Sequence, residues 1–231
     1  HRRAIEIMAT VHVKYPPQTY MNILILDPGT GRAGLLALGV PGPPANHDKS
    51  RPYIPQRIYA WGEAMIYHGD SDDVAMAARE ITRNNQFEVF IIDQKMGQQK
   101  PPWFSMSITE KHQLSFAKYG IRSRTNGARF EFSNPNIELR EVLLKDWLRP
   151  PARLRMLPHM TMLDQQIGEL QRMKTDLQKR DKRAVKELVD CLEYGAAWFS
   201  GGLYYNAPEP LTFVRKDRGL KRLEKFVEHD W

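Results

Sequence analysis

The chain has 231 residues, 42% of them apolar and 26% charged, so it holds enough apolar material for a core and is not disordered throughout. Its one cysteine, Cys191, excludes an intramolecular disulfide and a multi-cysteine zinc site, and no apolar run approaches the roughly 20 residues of a membrane span. Lys and Arg outnumber Asp and Glu by 34 to 27, a formal charge of +7 that on its own argues only weakly for a polyanionic partner.

In chain order, the first residue is His1 rather than Met and no signal-like apolar stretch follows it, which suggests an excised fragment or a processed product. Residues 1–20 mix charge, β-branched residues and Pro16-Pro17, and read as an arm or a linker end. The apolar run from Asn22 to Leu26 is short enough for a buried strand, closed by the turn residues Asp27-Pro-Gly-Thr-Gly31. Residues 35–40 predict a returning strand, 41–56 a Pro- and Gly-rich loop, and 57–67 a third strand, together an antiparallel meander. The period then changes. Val74, Ala77, Ala78 and Ile81 fall at i, i+3, i+4 and i+7, predicting a helix capped by Ser71 or Asp72 that ends near Asn84-Asn85. Phe87–Ile92 is the next strand, closed by Asp93, and a strand after a crossover helix pairs in parallel. Further helices are expected over 108–119, 136–148, 161–177 and 184–199, with a short strand near Leu154–Leu157. Residues 201–231 open with Gly201-Gly202 and become a highly charged tail, in which Leu220, Leu223, Phe226 and Val227 form a short apolar stripe. The expected architecture is α/β over 21–200, with a mixed central sheet that begins as an antiparallel meander, continues with parallel strands, and is flanked by helices.

Two of these strands end in aspartate, Asp27 and Asp93, and the carboxyl ends of strands are where ligands gather in open α/β sheets. A third candidate, Asp190, lies off the apolar stripe of the last helix formed by Val185, Leu188, Val189, Leu192 and Ala196. Singly, each is as well explained as a turn former or a solvated helix residue. Together, three carboxylates from two strand ends and a late helix can converge only at one edge of the sheet. They would repel one another unless one holds a proton or a cation such as Mg²⁺ or Mn²⁺ neutralises them.

The motifs Ile-Leu-Asp27-Pro-Gly, Phe-Ile-Ile-Asp93 and Val-Asp190-Cys-Leu-Glu-Tyr194, in this order, resemble those of the ribonuclease H-like nuclease domain of viral terminase large subunits, the packaging motors of tailed phages. The resemblance spans about Asn22 to Phe199 and includes Leu154–His159 followed by Met162–Leu170, similar to the family's edge strand and following helix. It implies a metal-dependent DNA endonuclease. Asp27, Asp93 and Asp190 would be the catalytic ligands of two Mg²⁺ or Mn²⁺ ions, with Asp27 bridging, and cutting would show little sequence preference. The implied partners are double-stranded DNA, the ATPase half of the same polypeptide, the small terminase subunit and the portal, and the implied location is the host cytoplasm, with no membrane. The chain departs from the family in having Cys191 where Ala is usual. Glu187 stands near the place of a further acid, and whether Glu187, Glu193 or Glu63 assists the metals stays open at this point. Glu63 reads as a solvated strand position. No Gly-x-x-x-x-Gly-Lys-Ser/Thr loop occurs, so the resemblance implies a nuclease half that cannot translocate DNA alone.

Residues 172–186 hold seven basic and two acidic side chains directly before the Asp190 helix. Arg172, Lys174, Lys179, Arg180, Lys182 and Arg183 are therefore the candidate DNA-binding residues, and in the resembling family the segment before the last acid grips DNA. Residues 108–130 add Lys111, Lys118, Arg122, Arg124 and Arg129. Phosphate contacts of this kind carry no base sequence, and the alternative for both stretches is an ordinary solvated surface. His68, His112 and His159 lack the paired spacing of a zinc site, and Ser105, Ser107 and Ser115 lack a nucleophile-elbow motif. Two other functions compete. Asp27-Pro-Gly-Thr-Gly31 also resembles the phosphate loop of the actin and sugar-kinase fold, which implies ATP binding, although that fold needs a second core copy for which the chain is short. The other is a non-catalytic DNA- or capsid-binding module of the nuclease fold.

Overall fold

Apolar runs too short for helices and bounded by turn residues become the strands of one sheet. In the computed structural model, residues 8–14, 21–29, 31–42, 46, 57–83, 85–100, 105–133, 136–149, 152–175 and 185–200 are described. The described strands are β1 (Met8–Val13), β2 (Met21–Asp27), β3 (Arg32–Val40), β4 (Ile58–Tyr67), β5 (Val89–Ile92), β6 (Phe130–Phe132) and β7 (Leu154–Met156). The sheet order is β1-β4-β3-β2-β5-β6, with β7 also on β4. Strands β2, β3 and β4 form the expected antiparallel meander, while β2–β5, β5–β6 and β4–β7 pair in parallel. The protein is therefore α/β with a mixed open sheet flanked by helices.

The helices are α1 (Ser71–Thr82), α2 (Gln94–Gly97), α3 (Ile108–Lys118), α4 (Ile137–Leu148), α5 (Thr161–Thr175) and α6 (Glu187–Ser200). Helix α1 buries the expected Val74, Ala77, Ala78 and Ile81, but its cap is Asp70, one residue earlier than predicted. The Asp70 side chain accepts from the Asp73 amide while the Asp73 side chain accepts from the Asp70 amide, a reciprocal cap that neither Ser71 nor Asp72 can complete. Helix α3 is capped in the same way by Ser107 and Glu110.

Side chains alternate along β2, which divides the core. Ile23 and Ile25 face one layer with Leu36, Leu38, Val89, Ile91 and the inner residues of α4, α5 and α6. Leu24 and Leu26 face the other with Trp61, Phe90, Phe116 and α1. Phe116 packs edge-on to Phe90 and Phe130 there.

Three findings differ from the sequence expectation. Part of the stretch read as an arm, Met8–Val13, is strand β1, paired antiparallel with Gly62–Tyr67 of β4. Strand β6 and helix α2 are too short, at three and four residues, to show a period. Glu63 is not solvated: it is fully buried, and its oxygens accept from the Met162 and Leu163 amides at 3.0 and 2.8 Å and meet His12 Nδ1 at 2.9 Å. A carboxylate from a neighbouring strand thus satisfies the first amides of α5, which reading along the helix could not reveal. The tail 201–231 and most of the loop 41–56 lie outside the described residues. No described helix is long and apolar enough to cross a membrane.

Candidate active site

Parallel pairing brings the first two acids together. Leu26 is the register partner of Ile92, and the Asp93 amide donates to the Leu26 carbonyl at 3.3 Å, so Asp27 and Asp93 are adjacent at the carboxyl ends of β2 and β5. Continuing the alternation of Ile23-Ile25 and Val89-Ile91, both belong to the sheet face that α6 covers.

Helix α6 brings the third acid by an unusually close approach to the sheet. A Cβ at Gly34 would lie 2.9 Å from Glu187 Cβ, and one at Gly195 would lie 2.4 Å from Leu38 Cδ1 and 2.8 Å from Ile25 Cδ1. A side chain at Gly34 would press on the Cβ and main chain of α6, and one at Gly195 would have to displace the ends of Leu38 and Ile25. Cys191, fully buried between them, points its thiol to the Gly34 and Ile25 carbonyls at 3.4 and 3.7 Å. With α6 pinned here, Asp190 and Glu187 in its first turn stand over the end of β2.

The electrostatics record the convergence. The Asp27 carboxyl is held well above the usual carboxylate range, first by burial and then by the charges of Asp190, Asp93 and Glu187, with Lys186 opposing them. Burial first, and then the same three aspartates, push the Tyr194 hydroxyl up. Each of the other acids has its own cation. Glu187 pairs with Arg32 at 2.9 Å, Asp190 with Lys186, and Asp93 lies 3.8 Å from Arg140. Asp93 also caps α2, its Oδ2 accepting from the Met96 amide at 2.7 Å. Arg140, on α4, lies over the Tyr194 ring at 4.5 Å, and its Nε and Nη1 are buried with no hydrogen-bond acceptor among the described residues. Nothing in the sequence singled out Arg140. Its signal is spatial, a buried guanidinium beside a strand-end acid.

The three sequence-predicted acids are thus brought to one edge, with Glu187 beside them and Glu63 engaged at α5. Glu193 is buried in α6. The DNA-binding candidates are not placed in the same way. Arg172 and Lys174 fall in the last turns of α5, and Lys179, Arg180, Lys182 and Arg183 lie outside the described residues. In the second basic stretch, Lys118 pairs with Asp72 and Arg124 with Glu88, while Arg122 and Arg129 line an open groove of about 490 Å³ with Met106, Glu110 and Leu114. None of the four carboxylates lines that groove. His112 is buried, and burial pushes its imidazole down to about 4, which suits a neutral core histidine.

The donor set fits a hard divalent cation, since carboxylate oxygens gathered at a buried edge repel one another until a positive charge joins them. As placed, no group of three His, Cys, Asp or Glu side chains among the described residues is set to hold a metal ion. Lys186 takes an Asp190 oxygen, and the Met96 amide takes one of Asp93. Comparison with protein-family models, curated proteins and solved structures finds no match to the chain.

Proposed function

We propose that the chain is a metal-dependent endonuclease domain of the ribonuclease H-like class, acting on DNA as the nuclease part of a viral genome-packaging terminase. The observation that carries this reading is the convergence of Asp27 and Asp93, from adjacent parallel strand ends, with Asp190 from a helix pressed on the same face. The order of the central strands, an antiparallel meander followed by two parallel strands on the side of β2, is compatible with that class and supports it.

Asp27, Asp93 and Asp190 would hold two Mg²⁺ or Mn²⁺ ions. Bound there, the metal supplies Lewis acidity that activates water and stabilises the departing oxygen of a phosphodiester. The chain's own residues do the rest. Burial of Asp27 and Asp93 limits competing water. Arg32 pairs with Glu187 and Arg140 lies beside Asp93, so each carboxylate has a cation that orients it. The basic residues of 172–186 would contact backbone phosphates, giving grip without sequence preference.

The competing ATP-binding reading relies on residues 27–31 alone, whereas the convergence of Asp190 and Glu187 on Asp27 favours the nuclease. A non-catalytic module would keep the fold without the chemistry. Plasmid nicking decides among the three. The chain is expected to nick and linearise supercoiled DNA with Mn²⁺ or Mg²⁺, to be silent in chelator, and to lose activity in Asp27→Asn and Asp190→Asn. Full activity in Asp27→Asn, or equal cleavage in chelator, would end the reading.

A further inference from the structure

The cations beside the acids are held in two different ways. Arg140 is fixed: its side chain is only 8% exposed, lies on the Tyr194 ring, and belongs to a helix packed against α6. Lys186 is not. It precedes α6, is 29% exposed, and reaches Asp190 from i to i+4 by a single ammonium on a flexible stem. It also stands at the wrong end of the helix. The Asp190 amide donates to the Lys186 carbonyl at 2.8 Å, so the lysine begins the first turn, where the helix dipole disfavours positive charge. Helix preference therefore does not account for this lysine, whereas the carboxylates of Asp190 and Asp27 do.

We propose that Lys186 is an internal counter-ion that occupies Asp190 until a divalent cation displaces it, and so sets how tightly the acidic edge takes that cation. The inference rests on the metal-site reading above and adds a residue to it. Lys186 touches no reacting atom. It acts through Asp190 as a positioning residue, keeping the metal-free edge from accumulating unpaired charge and withholding one Asp190 oxygen. Its field reaches Asp27 as well, opposing the three carboxylates there. When the ammonium leaves, the carboxylate is freed at the cost of one attraction. Removing the ammonium in advance should strengthen metal binding, the opposite of what loss of a structural tie does. Arg140, buried and stacked, would stay in place, so the Asp93 side of the edge would keep its permanent positive neighbour.

The test is calorimetric titration of Mn²⁺ into the full chain without DNA, for the parent, Lys186→Gln, Lys186→Arg and Lys186→Gln/Asp190→Asn. Lys186→Gln should bind Mn²⁺ about tenfold more tightly, the effect of removing one competing unit charge at a partly exposed site. Lys186→Arg should stay near the parent, and the double variant should lose the gain. In chelator, Lys186→Gln should melt below the parent and the double variant should recover, because the lysine and Asp190 then leave together. Mn²⁺ binding by the parent with equal or weaker binding by Lys186→Gln would overturn the inference and leave the metal site standing. No Mn²⁺ binding by the parent would sink both.

Discussion

Replacing Asp27 by Asn tests whether the strand-end acids form an electrostatic unit. The change keeps the shape and removes a charge that burial, Asp190, Asp93 and Glu187 all disfavour. A carboxyl raised by one pH unit costs the folded state about 1.4 kcal/mol at neutral pH, and Asp27 is raised well beyond its usual range. A buried amide returns part of that gain through its own desolvation. In chelator near neutral pH, Asp27→Asn is therefore expected to be more stable than the parent by about 1–2 kcal/mol, a rise of a few degrees in Tm for a chain of this size. The sign with pH is fixed. The folded state binds the Asp27 proton more tightly than the unfolded state, so the parent carries no penalty below the unfolded value of 3.8 and acquires it as pH rises through the folded value. The mutant's advantage should shrink towards zero in acid. With Mn²⁺ the order reverses, because a ligand at 100 times its Kd adds about 2.7 kcal/mol to a protein that binds it and little to one that has lost the Asp27 carboxylate. Urea or thermal melts of both proteins, with chelator and with Mn²⁺, supply the comparison. A mutant equally destabilised in every condition would show that Asp27 serves the turn and not the acidic edge.

Gly34→Ala should lower stability by about 1–3 kcal/mol, since its methyl meets Glu187 Cβ and main chain at 2.9–3.0 Å, and should cut nicking more than its melt alone explains, by displacing Asp190. Glu63→Ala should cost about 3 kcal/mol in urea unfolding by stranding two buried amides of α5, while nicking per folded molecule stays near the parent's; a selective loss of cleavage would return Glu63 to the metal site. Arg140→Met should destabilise by about 3 kcal/mol because Asp93 loses its buried partner, and Asp93→Asn in the same chain should recover part of that loss.

Most of the sheet was legible because each strand of the meander and β5 is an apolar run closed by turn residues, and because a helix between β4 and β5 forces a parallel return. Asp27 and Asp93 were legible for the same reason, being the residues at which those runs stop. What escaped the sequence depends on contacts distant in the chain. Strand β1 has little apolar contrast, and it pairs with β4 through residues more than 40 positions away. Glu63 looks like a solvated acid until α5 places two amides on it. Arg140 is an ordinary helix arginine until α4 packs against α6 and sets its guanidinium between Tyr194 and Asp93. Charge counting along the chain does not show that Asp72 and Glu88, from outside the second basic stretch, pair with Lys118 and Arg124.

The acidic edge exists because packing elsewhere compels it. Asp190 and Glu187 would move away from Asp27 and Asp93 if α6 could lift from the sheet, since their repulsion rewards distance. Gly34, Cys191 and Gly195 remove that freedom by seating the helix on β2 and β3, and Leu188, Leu192, Ala196 and Phe199 bury the apolar face that holds it there. Truncating one such leucine typically costs 2–5 kcal/mol, and several such residues hold the helix down together. The apolar contact is therefore strong enough to hold the acids in an arrangement they oppose. Arg32, Arg140 and Lys186 then reduce the remaining repulsion, and of these Lys186 is the one that does so with a single ammonium on a flexible stem.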